Sequence, residues 1–181
     1  GPAVDKRIAG RLLALALAVC LTAALTAPAL GSAAETDTVE IATVEDLQAL
    51  AKSCALDTWS QGKTVILTAD LNLAGTDFTP IPTFGGTFLG QGHTVSGLRI
   101  TAAGSAQGLF RYVQPSGLVR DLAVKGTVAP EGSRSAVGGL VGDNAGTLQG
   151  CAFEGTVRGE SGVGGIAGYN RESGQIIGCT A

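Results

Sequence analysis

An internal repeat in the C-terminal part of the chain restricts the fold more than any other feature of the sequence. Residues 137–144 read VGGLVGDN and residues 163–170 read VGGIAGYN, so the pattern returns after 26 positions. Residues 146–151 (GTLQGC) correspond in the same way to residues 174–179 (GQIIGC), at an offset of 28. A repeat of this length, with glycine at fixed places, is typical of solenoids in which each copy forms one coil.

The two offsets differ because the second copy is longer at one place. Residues 171–173 (RES) stand where the first copy has Ala145 alone, and an insertion confined to one spot predicts a loop. An earlier and weaker copy extends the repeat, since residues 126–128 and 155–157 both read GTV, 29 positions apart. We therefore expect several coils of 26 to 29 residues.

Coils of this kind stack with equivalent strands about 4.8 Å apart, so equivalent side chains meet in the interior. Short apolar strands need such stacking, because they cannot hold a sheet alone. Gly139 and Gly165 are expected where the backbone needs a positive φ or approaches its neighbour closely. The predicted interior pairs are Leu140 over Ile166, Leu148 over Ile176, and Cys151 over Cys179.

The composition agrees with a glycine-rich β-solenoid. The 181 residues include 28 glycines but only 4% aromatic residues, which predicts a core of small and β-branched side chains in regular layers. The net charge of −3 is mild, and no basic patch indicates nucleic acid as a partner.

The segment before the repeats predicts one helix followed by a strand. In residues 43–56, Thr43 is a candidate N-cap, Asp46 stands at the reciprocal capping position, and apolar residues recur at helical spacing: Leu47, Leu50, Ala51 and Cys54. Apolar residues alternate with polar ones through residues 63–73, which predicts an extended strand. We expect a cap over residues 35–62 and β-solenoid coils over residues 63–181.

Two segments resemble known bacterial sequences. Residues 138–142 (GGLVG) and 164–168 (GGIAG) resemble the GLUG motif of exported bacterial surface proteins, and residues 85–98 resemble the first coil of right-handed parallel β-helix proteins of the pectate-lyase-like class. The resemblance covers roughly residues 63–181. It implies an all-β, right-handed parallel β-helix on a surface or secreted protein, with the short helix capping its N-terminal end. It implies no particular reaction.

The first 34 residues have the three parts of a secretory signal peptide. Basic residues (Lys6, Arg7 and Arg11) precede an apolar run over residues 12–25, and the small residues of positions 32–34 predict cleavage between Ala34 and Glu35. The alternatives are a membrane-spanning helix, for which the run is short, and a lipoprotein modified at Cys20, where Val19 replaces the expected small residue. No stretch after Glu35 is long and apolar enough to cross a bilayer. The absence of Met and an end inside a repeat predict a fragment, truncated at its C-terminus.

No constellation of reactive side chains is evident in the sequence. His93, the single histidine, has no carboxylate or cysteine at a supportive spacing, which favours a corner residue over a catalyst. Arg120 and Asp121 are neighbours on a predicted strand and should face opposite sides. The remaining acidic residues are scattered singly, so we predict no catalytic, cofactor-binding or metal site and no cofactor. Glycine-rich runs at 90–92 and 162–165 lack the Lys-Ser/Thr pair of a phosphate loop.

The cysteines after the predicted cleavage site are Cys54, Cys151 and Cys179, an odd number. A bond between Cys151 and Cys179 is conceivable at the spacing of adjacent coils. The alternative interpretation, two small buried side chains in a row, requires no oxidation.

These features predict an exported, non-catalytic, cell-surface or secreted repeat module. Its role would be adhesion, carbohydrate contact or that of a structural stalk, with extracellular glycans or proteins of a host or cell surface as partners. The alternative is the N-terminal part of a polysaccharide lyase or glycoside hydrolase whose active site lies in coils beyond residue 181. A third hypothesis is a scaffold for other domains of the same polypeptide.

Overall fold

The computed structural model describes residues 37–181. The predicted signal peptide, its cleavage site between Ala34 and Glu35, and Cys20 lie outside the described residues. Residues Val39–Ala181 form one compact unit. The predicted domain boundaries after residues 34 and 62 stay predictions.

The described chain contains one helix and fifteen short strands. The helix α1 spans Val44–Ser53. The strands are β1 (Thr38–Ile41), β2 (Thr64–Leu67), β3 (Leu71–Asn72), β4 (Thr87–Leu89), β5 (Thr94–Ile100), β6 (Phe110–Val113), β7 (Leu118–Arg120), β8 (Ala123–Val128), β9 (Ser135–Gly138), β10 (Val141–Asn144), β11 (Thr147–Gln149), β12 (Ala152–Val157), β13 (Ser161–Gly164), β14 (Ala167–Asn170) and β15 (Gln175–Ile177).

The strands stack into a parallel β-solenoid of about five turns, which confirms the predicted fold class. A six-stranded sheet has the order β1-β2-β4-β7-β11-β15, and a four-stranded sheet has the order β12-β8-β5-β3. The order β14-β10-β6 forms a third sheet, and β13 pairs with β9 in a fourth. Every pair with an assigned register is parallel.

The register follows the offsets of the sequence repeat. Leu148 of β11 is opposite Ile176 of β15, 28 residues on, and Thr127 of β8 is opposite Thr156 of β12. The amide of Leu140 donates to the carbonyl of Ile166 at 3.1 Å. Each copy is therefore one turn. The insertion at residues 171–173 lies in a turn between β14 and β15, where a loop was predicted.

The helix α1 begins at a capping box, as its sequence predicts. The Thr43 hydroxyl accepts a hydrogen bond from the Asp46 amide at 3.1 Å, and the Asp46 carboxylate accepts one from the Thr43 amide at 3.1 Å. The predicted apolar face is buried and belongs to the same core as the solenoid interior. The pKa of Asp46 is lowered, chiefly because its carboxylate accepts a hydrogen bond from the Ala42 amide.

The predicted single strand over residues 63–73 is wrong in one respect. The chain bends after Leu67, so that β2 joins the six-stranded sheet and β3 the four-stranded sheet. Val65, Leu67, Leu71 and Leu73 are all buried. The alternation continues through the bend because the interior lies on the inner side of both segments.

The core also differs from the layers of small side chains that the composition predicts. Phe84, Phe88 and Phe110 are fully buried, and their ring centroids lie 5.5 to 6.0 Å apart. Two of the three ring pairs meet edge to face, which adds to the stabilisation from burial. Three of the chain's five phenylalanines thus form one cluster across adjacent turns of the solenoid.

One corner of the solenoid has a left-handed backbone in four successive turns. Gln91, Asp121, Gly150 and Gly178 have φ values of 59°, 54°, 63° and 61°. The Asp121 amide donates to the carbonyl of Gln149, and the Gly150 amide to that of Ile177. Glycine adopts this conformation without a steric cost, whereas the other two residues are held in it by the stacking.

Gly139 is required by close approach rather than by positive φ, and replacing it should destabilise the fold. A side chain at this position would collide with the Gly165 carbonyl oxygen and the Phe153 ring. We expect Gly139→Val to lower the free energy of unfolding by about 2 to 3 kcal/mol, measured by chemical denaturation. Thr156→Val, on an exposed strand, is the control and should be nearly neutral. Equal stability of both variants would contradict this packing.

Candidate functional site

A row of polar side chains crosses the three-stranded sheet on equivalent positions of successive turns. Tyr112 of β6 is opposite Asp143 of β10, which is opposite Tyr169 of β14. Asp143 is one of the acidic residues that are scattered singly in the sequence, and Tyr169 replaces it in the next copy. In the structure the replacement places the carboxylate between two tyrosine positions, about 4.8 Å from each along the stack.

Asp143 is paired with Arg171, which belongs to the insertion in the second repeat. The Nε of Arg171 donates to Asp143 Oδ1 at 2.7 Å, and Nη2 donates to Oδ2 at 2.6 Å. The Asp143 side chain is only 11% exposed, whereas that of Arg171 is 59% exposed. This bidentate pair raises the pKa of Arg171, chiefly because the guanidinium donates hydrogen bonds to the Asp143 carboxylate and is attracted by its charge. The insertion therefore closes back onto the preceding turn.

Two asparagines form a second contact between the same turns. Asn144 is fully buried, and its Nδ2 donates to Asn170 Oδ1 at 2.8 Å and to the Gly146 carbonyl at 3.1 Å. Asn144 Oδ1 accepts a hydrogen bond from the Gly146 amide. No role for these residues follows from the sequence alone, although asparagine recurs at the same position of both copies.

A hollow of about 550 Å³ lies beside the start of this row. Three chain segments contribute its walls, namely residues 57–61, 82–83 and 106–114. Its lining residues combine charged, amide, hydroxyl and ring-bearing side chains: Asp57, Gln61, Pro82, Thr83, Ala106, Arg111, Tyr112 and Gln114. Sequence reasoning missed this set, because its members are distant in sequence and share no motif.

His93 has a carboxylate partner that the sequence spacing did not reveal. Its Nδ1 lies 3.0 Å from Oδ1 of Asp70, which precedes it by 23 positions and belongs to the neighbouring turn. The pKa of Asp70 is lowered, first by a hydrogen bond from the Thr94 amide and then by His93. The Asp70 side chain is 74% exposed, so this pair lies at an open corner.

The expectation that Arg120 and Asp121 face opposite sides is wrong. Arg120 Nε lies 3.4 Å from Asp121 Oδ2. The strand β7 ends at Arg120, and the left-handed conformation of Asp121 turns its side chain back beside its neighbour. Within residues 37–181 there is no group of three or more His, Cys, Asp or Glu side chains suited to a metal ion.

Cys151 and Cys179 meet across adjacent turns as free thiols. The Cys151 amide donates to Cys179 Sγ at 3.4 Å, and the Cys151 thiol donates to the Val119 carbonyl at 3.5 Å. Burial raises the pKa of Cys151 to about 11 and that of Cys54 to about 11. Both thiols are therefore almost entirely protonated at neutral pH.

In the described part of the chain, no helix has both the length and the apolar character needed to cross a membrane. No protein-family model matches the chain. No solved structure matches it significantly. The chain is similar to Halomucin of Haloquadratum walsbyi, with 31% identity over 159 residues. The alignment covers 80% of this chain but only 2% of the length of Halomucin.

Removing Arg171 should destabilise the last turns more than removing the whole pair. Arg171→Ala leaves the mostly buried Asp143 carboxylate without its partner, whereas Asp143→Asn/Arg171→Ala removes the charge as well. We expect a melting temperature a few degrees lower for the single variant and partial recovery in the double variant, by thermal denaturation. Arg158→Ala is the control. A double variant less stable than the single one would contradict the argument.

The raised thiol pKa values predict slow alkylation of the native protein. With a pKa of about 11, only about one thiol in a thousand is ionised at pH 8, and the thiolate is the reacting form. We expect Cys54 and Cys151 to react with iodoacetamide at least about tenfold more slowly than in denaturant. Peptide mass spectrometry assigns the rate to each cysteine. Equal native and denatured rates would contradict their burial.

Proposed function

We propose that the chain is the repeat module of an exported, non-catalytic, cell-surface or secreted protein, and that it serves as a structural stalk. The observation that supports this role most directly is the parallel pairing of equivalent strands from turn to turn. Each added turn lengthens such a stack by about 4.8 Å without changing its cross-section. A stack built in this way acts as a spacer that holds the parts of the protein joined to its two ends at a distance.

Side-chain rows make such a stack stiff. The bond between Asn144 and Asn170 and the pair between Asp143 and Arg171 join the same two turns on one side. The apolar pair Leu148 and Ile176 joins them on another. Bending the stack would distort all of these contacts at once, because the turns are closely packed against one another.

Sequence observations support export and a surface location. The signal-peptide pattern of the first 34 residues and the likeness of the GGLVG and GGIAG segments to the GLUG motif both favour an exported bacterial protein. The similarity to Halomucin supports a surface or secreted location. The small share of Halomucin that is covered suits a module within a much larger polypeptide.

Export of the chain and its predicted lack of activity on polysaccharides are tested together by expressing the whole chain in a bacterial host. We expect the protein outside the cytoplasm with Glu35 as its N-terminus, by N-terminal sequencing. We also expect no release of reducing ends from plant or bacterial polysaccharides. Retention of the uncleaved chain in the cytoplasm would contradict export, and reducing-end release would favour the lyase or hydrolase alternative. A chain with Ala34→Asp, which places a charge at the cleavage site, is the control for processing.

A further inference from the structure

We propose that the hollow beside Tyr112 is a saccharide-binding site. It has a volume of about 550 Å³, within the range of about 300 to 1,000 Å³ in which small-molecule ligands bind. This inference goes beyond the structural role proposed above and does not depend on it. Four observations support it: a fixed polar floor, a positioned guanidinium group, an aromatic wall and a mixture of donors and acceptors.

The floor of the hollow is the side chain of Gln114, a residue that is 7% exposed and whose amide nitrogen and oxygen both have hydrogen-bond partners. Its Nε2 donates to the Asp57 carbonyl at 2.7 Å and to the Thr83 hydroxyl at 2.9 Å. Its Oε1 accepts a hydrogen bond from Gln61 Nε2 at 2.9 Å. One buried side chain thus joins all three wall segments, which holds the site in shape before a ligand arrives.

Arg111 is positioned by the backbone of one wall. Its Nε donates to the Ala106 carbonyl at 3.0 Å, and its Nη2 donates to the Ser105 carbonyl at 3.1 Å. Ala106 has a left-handed backbone, with φ of 58°. A guanidinium group has five N–H donors, and these two bonds occupy two of them. The outer edge of the group can therefore donate to two neighbouring oxygen atoms of a ligand.

The remaining side chains have the mixed character that a sugar requires. Tyr112 is partly exposed, and its ring and that of Pro82 offer apolar surface for the C–H face of a pyranose. The Asp57 carboxylate accepts hydrogen bonds from hydroxyl groups, and Gln61 both donates and accepts. A strongly anionic ligand fits less well, because Asp57 lines the same hollow as Arg111.

The chain supplies a matched control for the aromatic contact. Tyr169 occupies the same row as Tyr112, two turns away, and is 45% exposed. It does not line the hollow. Nonspecific contact of sugars with exposed tyrosine side chains would therefore involve both tyrosines. Binding in the hollow would involve Tyr112 and not Tyr169.

The test is a nuclear magnetic resonance titration of the whole chain with cellobiose, maltose, lactose and chitobiose. We expect at least one of these to shift the side-chain amide signals of Gln61 and Gln114 and the Arg111 Nε–H signal in a saturable manner. Tyr112→Ala and Arg111→Ala should weaken that binding by at least about tenfold, whereas Tyr169→Ala should leave it unchanged.

The same spectra show whether each variant is folded. Tyr112→Phe keeps the ring and should retain binding, and it is the variant to measure at this position if Tyr112→Ala unfolds. Arg111→Lys should weaken binding, and it is used in the same way if Arg111→Ala unfolds. The proposal is overturned if none of the four sugars shifts these signals, or if Tyr169→Ala weakens binding as much as Tyr112→Ala. Either result leaves the structural role intact.

Discussion

Hydrogen bonding between successive parallel turns is the interaction on which the rest of this structure depends. The strands are two to seven residues long, too short to form stable sheets individually. Backbone amides of the strands and corners donate to carbonyls of the neighbouring turn, as in the bonds from Leu140 to Ile166 and from Gly150 to Ile177. Because equivalent strands of successive turns pair in parallel, residues that are distant in sequence are held about 4.8 Å apart.

The same constraint decides what each position of a turn tolerates. The corner occupied by Gln91, Asp121, Gly150 and Gly178 keeps its left-handed backbone whether or not the residue is glycine. At Gly139 the neighbouring turn leaves no room for a side chain. At the corner, stacking imposes the left-handed backbone even on residues that do not prefer it. At Gly139, stacking itself requires a residue without a side chain. Glycine therefore recurs at only some of the equivalent positions.

Stacking also creates the surfaces on which the proposed roles depend. Outward positions form rows of equivalent side chains, and an irregular turn changes a row locally. The insertion, for example, contributes Arg171, which pairs with the mostly buried carboxylate of Asp143. The hollow near Tyr112 forms where the segment after α1 meets the early turns of the solenoid. The repeated part thus supplies regularity, and departures from the repeat supply distinct chemistry.

The sequence by itself determined the solenoid, the offsets between turns, the helix with its capping box and the loop at residues 171–173. These follow from patterns of near neighbours and from the repeat, in which identity at a fixed offset reports contact directly. Only the tertiary structure decided the bend between β2 and β3, the contact of Arg120 with Asp121, and the meeting of Asp70 with His93. It also decided the joining of Gln61, Thr83 and Gln114 in one network. Alternation of apolar residues is the same on both sides of a corner, and side chains brought together by folding leave no periodic signal in the chain.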